Sequence, residues 1–228
     1  MPTTNFINGV TNVAESTSLG SFTAPDPTAV HQWFDDFDSY TAANWTVTET
    51  DSGATQAITD GDGGILLITN TAADNDLVSL QLAKETFRLA PGKETWIKAR
   101  FKVSDATQSD VLIGLYITDT SPVASKPSDG FFFQKLDGST SMTFEIGKNS
   151  TYTSKTVGTI VSDTYAVVAA YYNGSDKVEV FYNDVRVGSA VTTNLCDDED
   201  LAVSIALQNG DANARTLSVD YLLVAKKR

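Results

Sequence analysis

The sequence predicts an all-β protein, a two-sheet antiparallel jelly-roll sandwich with an extended N-terminal arm. Short apolar or alternating runs recur between turn residues, which is the pattern of antiparallel sheets, and helix signals are scarce. The 228 residues, 41% of them hydrophobic, suit one large β domain better than two small ones. We therefore expect a single core.

Residues 1–30 form the predicted arm because they are rich in Thr, Ser, Asn and Gly and follow neither the helical nor the strand period. Two prolines, Pro25 and Pro27, end the arm, since each fixes its own backbone and pushes the preceding residue to extended geometry. The sandwich is expected over residues 31–228. Isolated apolar residues of the arm are candidate partner-binding anchors: Phe6, Ile7, Val10, Val13, Leu19 and Phe22.

Several strands and hairpins can be placed individually. Residues 95–103 and 217–223 show the period of two that a half-buried strand requires. Asp137-Gly138 and Asn173-Gly174 predict hairpin turns between apolar runs. The nearly all-apolar run 111–118 favours a central strand covered on both sides, although a short helix has the same composition.

The net charge, the cysteine count and the hydropathy limit the possible partners and compartments of the protein. Acidic side chains outnumber basic ones by 29 to 16, a net charge of −13, so the chain repels a phosphate backbone and nucleic acid is a poor partner. The single Cys196 cannot form an internal disulfide, which is compatible with folding in a reducing cytoplasm. Residues 1–30 lack the pattern of a signal peptide and no stretch approaches a membrane span, so we expect a soluble protein with no membrane partner.

Five segments occur in an order that is typical of one superfamily of sandwiches. They are Trp33-Phe34-Asp35-Asp36-Phe37-Asp38 with the following Trp45, then residues 63–68, 95–103, 178–187 and 217–224. Together they resemble the concanavalin A-like lectin and glucanase superfamily, including its laminin-G-like branches. The resemblance implies this jelly-roll fold, but the superfamily contains glycan-cleaving enzymes, lectins and structural modules, so the fold alone does not name the function.

The residues argue against catalysis. Glycanases of this superfamily carry their acids as Glu-x-Asp-x-(x)-Glu on one strand, so that alternate carboxylates project into one cleft. Glu145 and Glu179 both lack a second carboxylate two positions away. The only histidine, His31, has no accompanying nucleophile motif and is interpreted as a surface or arm-packing imidazole. We therefore expect no enzyme and no catalytic residues.

No cofactor is predicted, and calcium is the open alternative. Asp60, Asp62 and the loop 196–200 supply oxygen ligands, but neither segment has a full ligand spacing, so plain acidic turns are the favoured interpretation. One His and one Cys cannot form a zinc site. The acidic neighbours of Cys196 should raise the pKa of its thiol and suppress thiolate chemistry.

A basic stripe with one tryptophan is the candidate surface patch. Trp96, Lys98, Arg100 and Lys102 share the outward face of one predicted strand, and on an acidic chain they would suit an acidic partner. Pairing of these cations with acidic residues on neighbouring strands is the simpler interpretation.

The overall character resembles the capsid decoration and minor capsid proteins of tailed bacteriophages. The resemblance implies a non-enzymatic protein of the virion surface, made in the host cytoplasm and held partly by its arm on the major capsid protein or neighbouring virion subunits. A trimeric assembly is suggested only by this resemblance. The alternative is a carbohydrate-binding, lectin-like module whose aromatic side chains stack on glycan rings.

Overall fold

The computed structural model describes residues 28–228, which form two antiparallel sheets packed face to face. These residues contain one short 3-10 helix, Ala42–Asn44, and fifteen strands. In chain order the strands are β1 (Val30–Asp35), β2 (Trp45–Glu49), β3 (Thr55–Thr59), β4 (Ile65–Thr69), β5 (Leu77–Leu82), β6 (Thr95–Val103), β7 (Ser109–Tyr116), β8 (Gly130–Lys135), β9 (Ser141–Lys148), β10 (Thr151–Thr159), β11 (Ala166–Tyr172), β12 (Lys177–Tyr182), β13 (Val185–Val191), β14 (Ala202–Asn209) and β15 (Thr216–Lys227).

The predicted two-sheet jelly-roll sandwich is confirmed. The eight-stranded sheet runs β13-β12-β11-β6-β15-β4-β3, with β1 paired to the C-terminal half of β15. The seven-stranded sheet runs β10-β9-β8-β7-β14-β5-β2. The first and last strands pair from Val30 opposite Lys227 to Asp35 opposite Leu222, so both ends of the described chain lie in one sheet.

The local turn and burial patterns account for this topology. β8 and β9 form a hairpin around Asp137-Gly138, and β11 and β12 form one around Asn173-Gly174; both glycines adopt positive φ, 68° and 78°. β7 lies between β8 and β14 and is buried along its whole length. The apolar run at 111–118 is therefore a central strand and not a helix.

The core lies between the two sheets and is built from the inward-facing residues of both. Trp45 belongs to it, and Trp33 packs against it with the two indoles edge to face, their centroids 5.8 Å apart. His31 stacks on Phe87 with 4.2 Å between ring centroids. These three side chains are thus used in packing. Within residues 28–228 no helix is long and apolar enough to cross a membrane.

The outer face of the seven-stranded sheet carries a second, smaller apolar cluster. Val123, from the connection between β7 and β8, packs on it; the cluster consists of Leu77, Leu112, Tyr116, Phe132 and Ala206. The connection, residues 117–129, is called the covering segment below. It closes on itself through a hydrogen bond from the Ile117 amide to the Asp129 carbonyl.

Polar contacts fasten the covering segment to the sheet. The Asp119 amide donates to Oε1 of Gln81 over 2.9 Å, and Lys126 forms an ion pair with Glu145 over 3.0 Å. Tyr152 donates its hydroxyl to the carbonyls of Lys126 and Pro127. One outer face of the sandwich is therefore covered at its centre by the chain itself.

The outer face of the eight-stranded sheet has a different character. Along β6, buried residues alternate strictly with half-buried ones, as the sequence predicts, and the half-buried set is Trp96, Lys98, Arg100 and Lys102. Neighbouring strands add further half-buried side chains to this face, among them Tyr171 and Leu223. A surface that can meet a ligand is therefore found here.

Candidate functional site

A stacked aromatic pair is the central feature of this face. The register places Trp96 opposite Tyr171 on β11 and opposite Ala225 on β15. The rings of Trp96 and Tyr171 stack with 5.3 Å between centroids and 24° between planes. Because Ala225 carries only a methyl group, the side of Trp96 turned away from Tyr171 is left open.

The adjoining row of residues repeats this contrast of large and small side chains. Lys98 lies between Ala169 on β11 and Leu223 on β15. Ala169 is in turn opposite Phe181 on β12. Each alanine is therefore flanked by long or aromatic side chains, and the sheet has one depression at Ala225 and another at Ala169.

The two depressions belong to one open groove of about 610 Å³, a size that suits a small-molecule or glycan site. Its walls come from five adjacent strands, β12, β11, β6, β15 and β1, so it runs across the strands and not along them. The side chains that line it are Val30, Gln32, Trp96, Lys98, Ala169, Tyr171, Phe181, Leu223 and Ala225.

The charged groups of the groove and its surroundings are paired. Lys98 places Nζ 2.6 Å from Oδ1 of Asp184, and this hydrogen bond raises the pKa of Lys98. Lys227 and Glu94 pair at 2.5 Å beside the groove, two residues along the chain from Ala225 and Trp96. At the β12 end, Glu179 is held by Lys177 and Arg186. The groove therefore has an apolar floor and a rim of charges that largely neutralise one another.

The structure divides the predicted basic stripe into two parts. Trp96 and Lys98 line the groove, whereas Arg100 and Lys102 lie farther along β6 against Tyr165, their charged groups 4.0 and 5.2 Å from the centre of its ring. Arg100 also forms an ion pair with Asp220. Lys98 and Arg100 thus have acidic partners within the chain.

The other predicted positions are not brought to the groove. Phe6, Ile7, Val10, Val13, Leu19 and Phe22 lie outside the described residues. Asp60 and Asp62 are exposed turn residues on the β3–β4 connection. In the 196–200 loop, Lys148 bridges Asp197 and Asp198, at 2.5 and 3.2 Å.

Three potential metal ligands do meet at one end of the seven-stranded sheet. Single ligand atoms of Asp129, Cys196 and Asp198 lie within 4.8 Å of one another. Burial, reinforced by the charge of Asp129, raises the pKa of the Cys196 thiol to about 12. A thiol must lose its proton to bind a metal, and the burial of Cys196 opposes that loss. Asp129 already accepts hydrogen bonds from Ser128 and the Asn149 amide.

The two glutamates considered for catalysis form hydrogen bonds or ion pairs with neighbouring side chains. Glu145 is buried and accepts hydrogen bonds from Thr143 at 2.6 Å and Ser154 at 2.5 Å, in addition to its ion pair with Lys126. Glu179 is bound to two cations. Both carboxylates therefore have a structural explanation in the part of the chain that the structure describes.

Sequence reasoning missed Tyr171 and the two alanines. The alternation in 166–172 places Tyr171 and Tyr172 on opposite faces, and it could have marked Tyr171 as an outward aromatic residue. The stack itself depends on the pairing of β11 with β6, which lie far apart in the sequence.

Comparison with known proteins identifies the fold. No protein-family model and no curated protein matches the sequence. An endo-1,3-β-glucanase from Streptomyces sioyaensis has a similar structure, with a TM-score of 0.63, 14% identity and coverage of 90% of this chain and 99% of that one. The carbohydrate recognition domain of Emp46p in its potassium-bound form has a TM-score of 0.58 and 14% identity, and the match covers 83% of this chain and 94% of that one. Protein SO2946 of unknown function from Shewanella oneidensis MR-1 has a TM-score of 0.61 and 15% identity, and the match covers 92% of this chain and 91% of that one.

These likenesses are too distant in sequence to carry function across. They extend over most of each chain, however, and agree with the sheet order and the antiparallel pairing described above. The chain therefore has the concanavalin A-like fold shared by lectins and glucanases.

Proposed function

We propose that this protein is a non-catalytic, lectin-like module that binds carbohydrate in the groove of the eight-stranded sheet. The observation that carries the proposal is the Trp96–Tyr171 stack beside the open space at Ala225. An aromatic ring offers a flat apolar face, and the C–H side of a sugar ring packs on such a face. The free side of Trp96 supplies this surface at the centre of the groove.

Polar groups stand where they can serve sugar hydroxyls. The Lys98 ammonium donates hydrogen bonds, the Asp184 carboxylate accepts them, and the Gln32 amide does both. An apolar floor with a few fixed polar groups is the usual composition of a small-ligand site. The Lys98–Asp184 ion pair holds both groups in place before a ligand arrives.

The comparisons support the carbohydrate part of the proposal through their lectin-type members, such as the Emp46p carbohydrate recognition domain. The non-catalytic part is supported by Glu145 and Glu179, which are each engaged by cations and lack a second carboxylate two residues along the strand. Most glycoside hydrolases act through two carboxylates that flank the glycosidic bond.

A glycan array, probed with the wild-type chain and with Trp96→Ala, tests the proposal. We expect wild-type binding to at least one glycan class and loss of that binding in the variant, with unchanged thermal unfolding. Phe34→Ala is the matched control, because Phe34 is an exposed aromatic on the same sheet that does not line the groove. Arrays run with calcium and with a chelator test the calcium alternative, and a blank array in both conditions refutes the proposal.

A structural role in a phage particle is a second proposal. One observation favours it: exposed valines follow one another along the edge strand β13, namely Val185 at 65%, Val187 at 39% and Val191 at 61% exposure. Mixing the chain, with and without residues 1–24, with undecorated capsids tests it. Equal binding of both forms would refute anchoring by the arm, and no binding of either would refute the role.

A further inference from the structure

We propose that the groove takes a linear, neutral oligosaccharide laid across the strands, and not a single sugar or an acidic glycan. The inference rests on the proposed function and concerns the same site. It depends on the length of the groove, on its two separate depressions and on the pairing of its charges.

The length of the groove exceeds one sugar ring. Its lining residues come from five adjacent strands, from Val30 and Gln32 on β1 to Phe181 on β12. Neighbouring strands are about 4.8 Å apart, so the groove extends for about 19 Å perpendicular to the strands. A chain of several sugar rings fills this length, whereas a monosaccharide leaves most of the apolar floor in water.

The two depressions are separated by the aromatic stack and by Lys98. Ala225 lies on β15, Ala169 lies on β11, and β6 runs between them. One ring seated at Ala225 packs on the free side of Trp96. A second ring at Ala169 meets Phe181. A single sugar cannot contact both places, but the rings of one chain can.

The charges favour a neutral ligand. Lys98 is the cation of the lining, and its ammonium is already bound by Asp184 at 2.6 Å. Glu94 lies beside the groove next to Tyr171, Glu179 lies on β12 at one end of it, and the chain as a whole carries a net charge of −13. A sugar carboxylate or sulfate would compete with Asp184 for the Lys98 ammonium and approach against this net charge.

Calorimetric titration of the full chain with oligosaccharide ladders tests the inference. The probes are cello-, laminari-, manno- and N-acetylated chito-oligosaccharides from disaccharide to hexasaccharide, with oligogalacturonates as the acidic counterpart. We expect affinity for one neutral series to rise roughly tenfold or more between disaccharide and tetrasaccharide, because a second linked ring binds without a new association cost, and then to level off.

Filling one depression separates the two subsites. Ala225→Leu and Ala169→Leu should each lower the tetrasaccharide affinity roughly tenfold and the disaccharide affinity by only about twofold, since the other depression stays free. Ala225→Ser is the matched control because it keeps the side chain small. Both alanines are only half-buried, so the leucines should leave thermal unfolding unchanged.

The outcomes distinguish the two levels of the proposal. Equal affinity for disaccharide and hexasaccharide, or tighter binding of oligogalacturonate, overturns the inference and leaves carbohydrate binding in place. No binding of any probe at millimolar concentration overturns the inference together with the proposed function.

Discussion

Lys126 and Glu145 form an ion pair whose two members differ sharply in exposure, 29% for the lysine side chain and 3% for the glutamate. The carboxylate lies on the outer face of the seven-stranded sheet, and its cation comes from the covering segment. The segment thus supplies the charge that makes a buried glutamate tolerable in this position.

The asymmetry of this pair predicts unequal costs of breaking it. Lys126→Met leaves the buried carboxylate with only the Thr143 and Ser154 hydroxyls and should lower the free energy of unfolding by about 2–3 kcal/mol. Glu145→Gln leaves a lysine that still reaches water and should cost about 1 kcal/mol. Urea denaturation measures both, with the exposed Lys84→Met as control. A larger loss for Glu145→Gln would contradict this account.

The buried carboxyl group of Asp110 makes the free energy of unfolding depend on pH. Burial raises the pKa of Asp110 from 3.8 to about 6, although the Asp137 amide donates a hydrogen bond to its carboxylate. Because the folded state holds the proton more tightly than the unfolded chain, the stabilisation is fully present below pH 3.8 and is lost as the pH rises through about 6.

The Asp110→Asn variant isolates this contribution. Between pH 4 and pH 7 the wild-type chain should lose about 2–3 kcal/mol of unfolding free energy relative to the variant, since two pKa units correspond to that amount. Urea titrations at several pH values measure the difference. The exposed Asp62→Asn is the control and should run parallel to the wild type. Parallel curves for Asp110→Asn as well would show that Asp110 titrates normally.

Periodicity predicts which residues share a face but not which strands become neighbours. The outward position of Trp96 and Lys98 follows directly from the alternation in residues 95–103. The groove needs in addition the register of β11, β6 and β15, which places Tyr171 and Ala225 on either side of Trp96. Register between strands far apart in the chain is set by the packed core, and a single sequence does not display it.

The sequence pattern also does not predict which charged side chains are buried. Lys135 is the last residue of β8, but it is fully buried and donates a hydrogen bond to the Ser109 carbonyl. Lysine is rarely buried to this extent, so its type argues for exposure. The sequence also shows little sign of the covering segment, because Val123 is the one residue of the segment that packs on the outer apolar cluster, and several of its other attachments are hydrogen bonds and an ion pair.

Gly114 is predicted to be irreplaceable in the centre of the seven-stranded sheet. A Cβ atom there would lie 2.6 Å from Cα of Phe132, its partner on β8, which is backbone that cannot move aside. We expect Gly114→Ala to lower the free energy of unfolding by about 3 kcal/mol, the cost of overpacking. Gly138→Asn is the control, because Gly138 has open space and a left-handed backbone that asparagine tolerates. Thermal unfolding of both variants measures the effect, and equal melting temperatures would contradict it.

Cys196 is predicted to be unreactive in the folded protein. Its side chain is buried, and burial raises the pKa of the thiol to about 12, so neither reagent access nor thiolate is available at pH 8. Labelling with iodoacetamide across a urea gradient, followed by mass spectrometry, should begin only where the chain unfolds. The control is Ser52→Cys in the Cys196→Ser background, which places a thiol on an exposed turn and should label in the absence of urea. If Cys196 labels as fast as this control in buffer alone, the loop 196–200 opens readily in the folded protein.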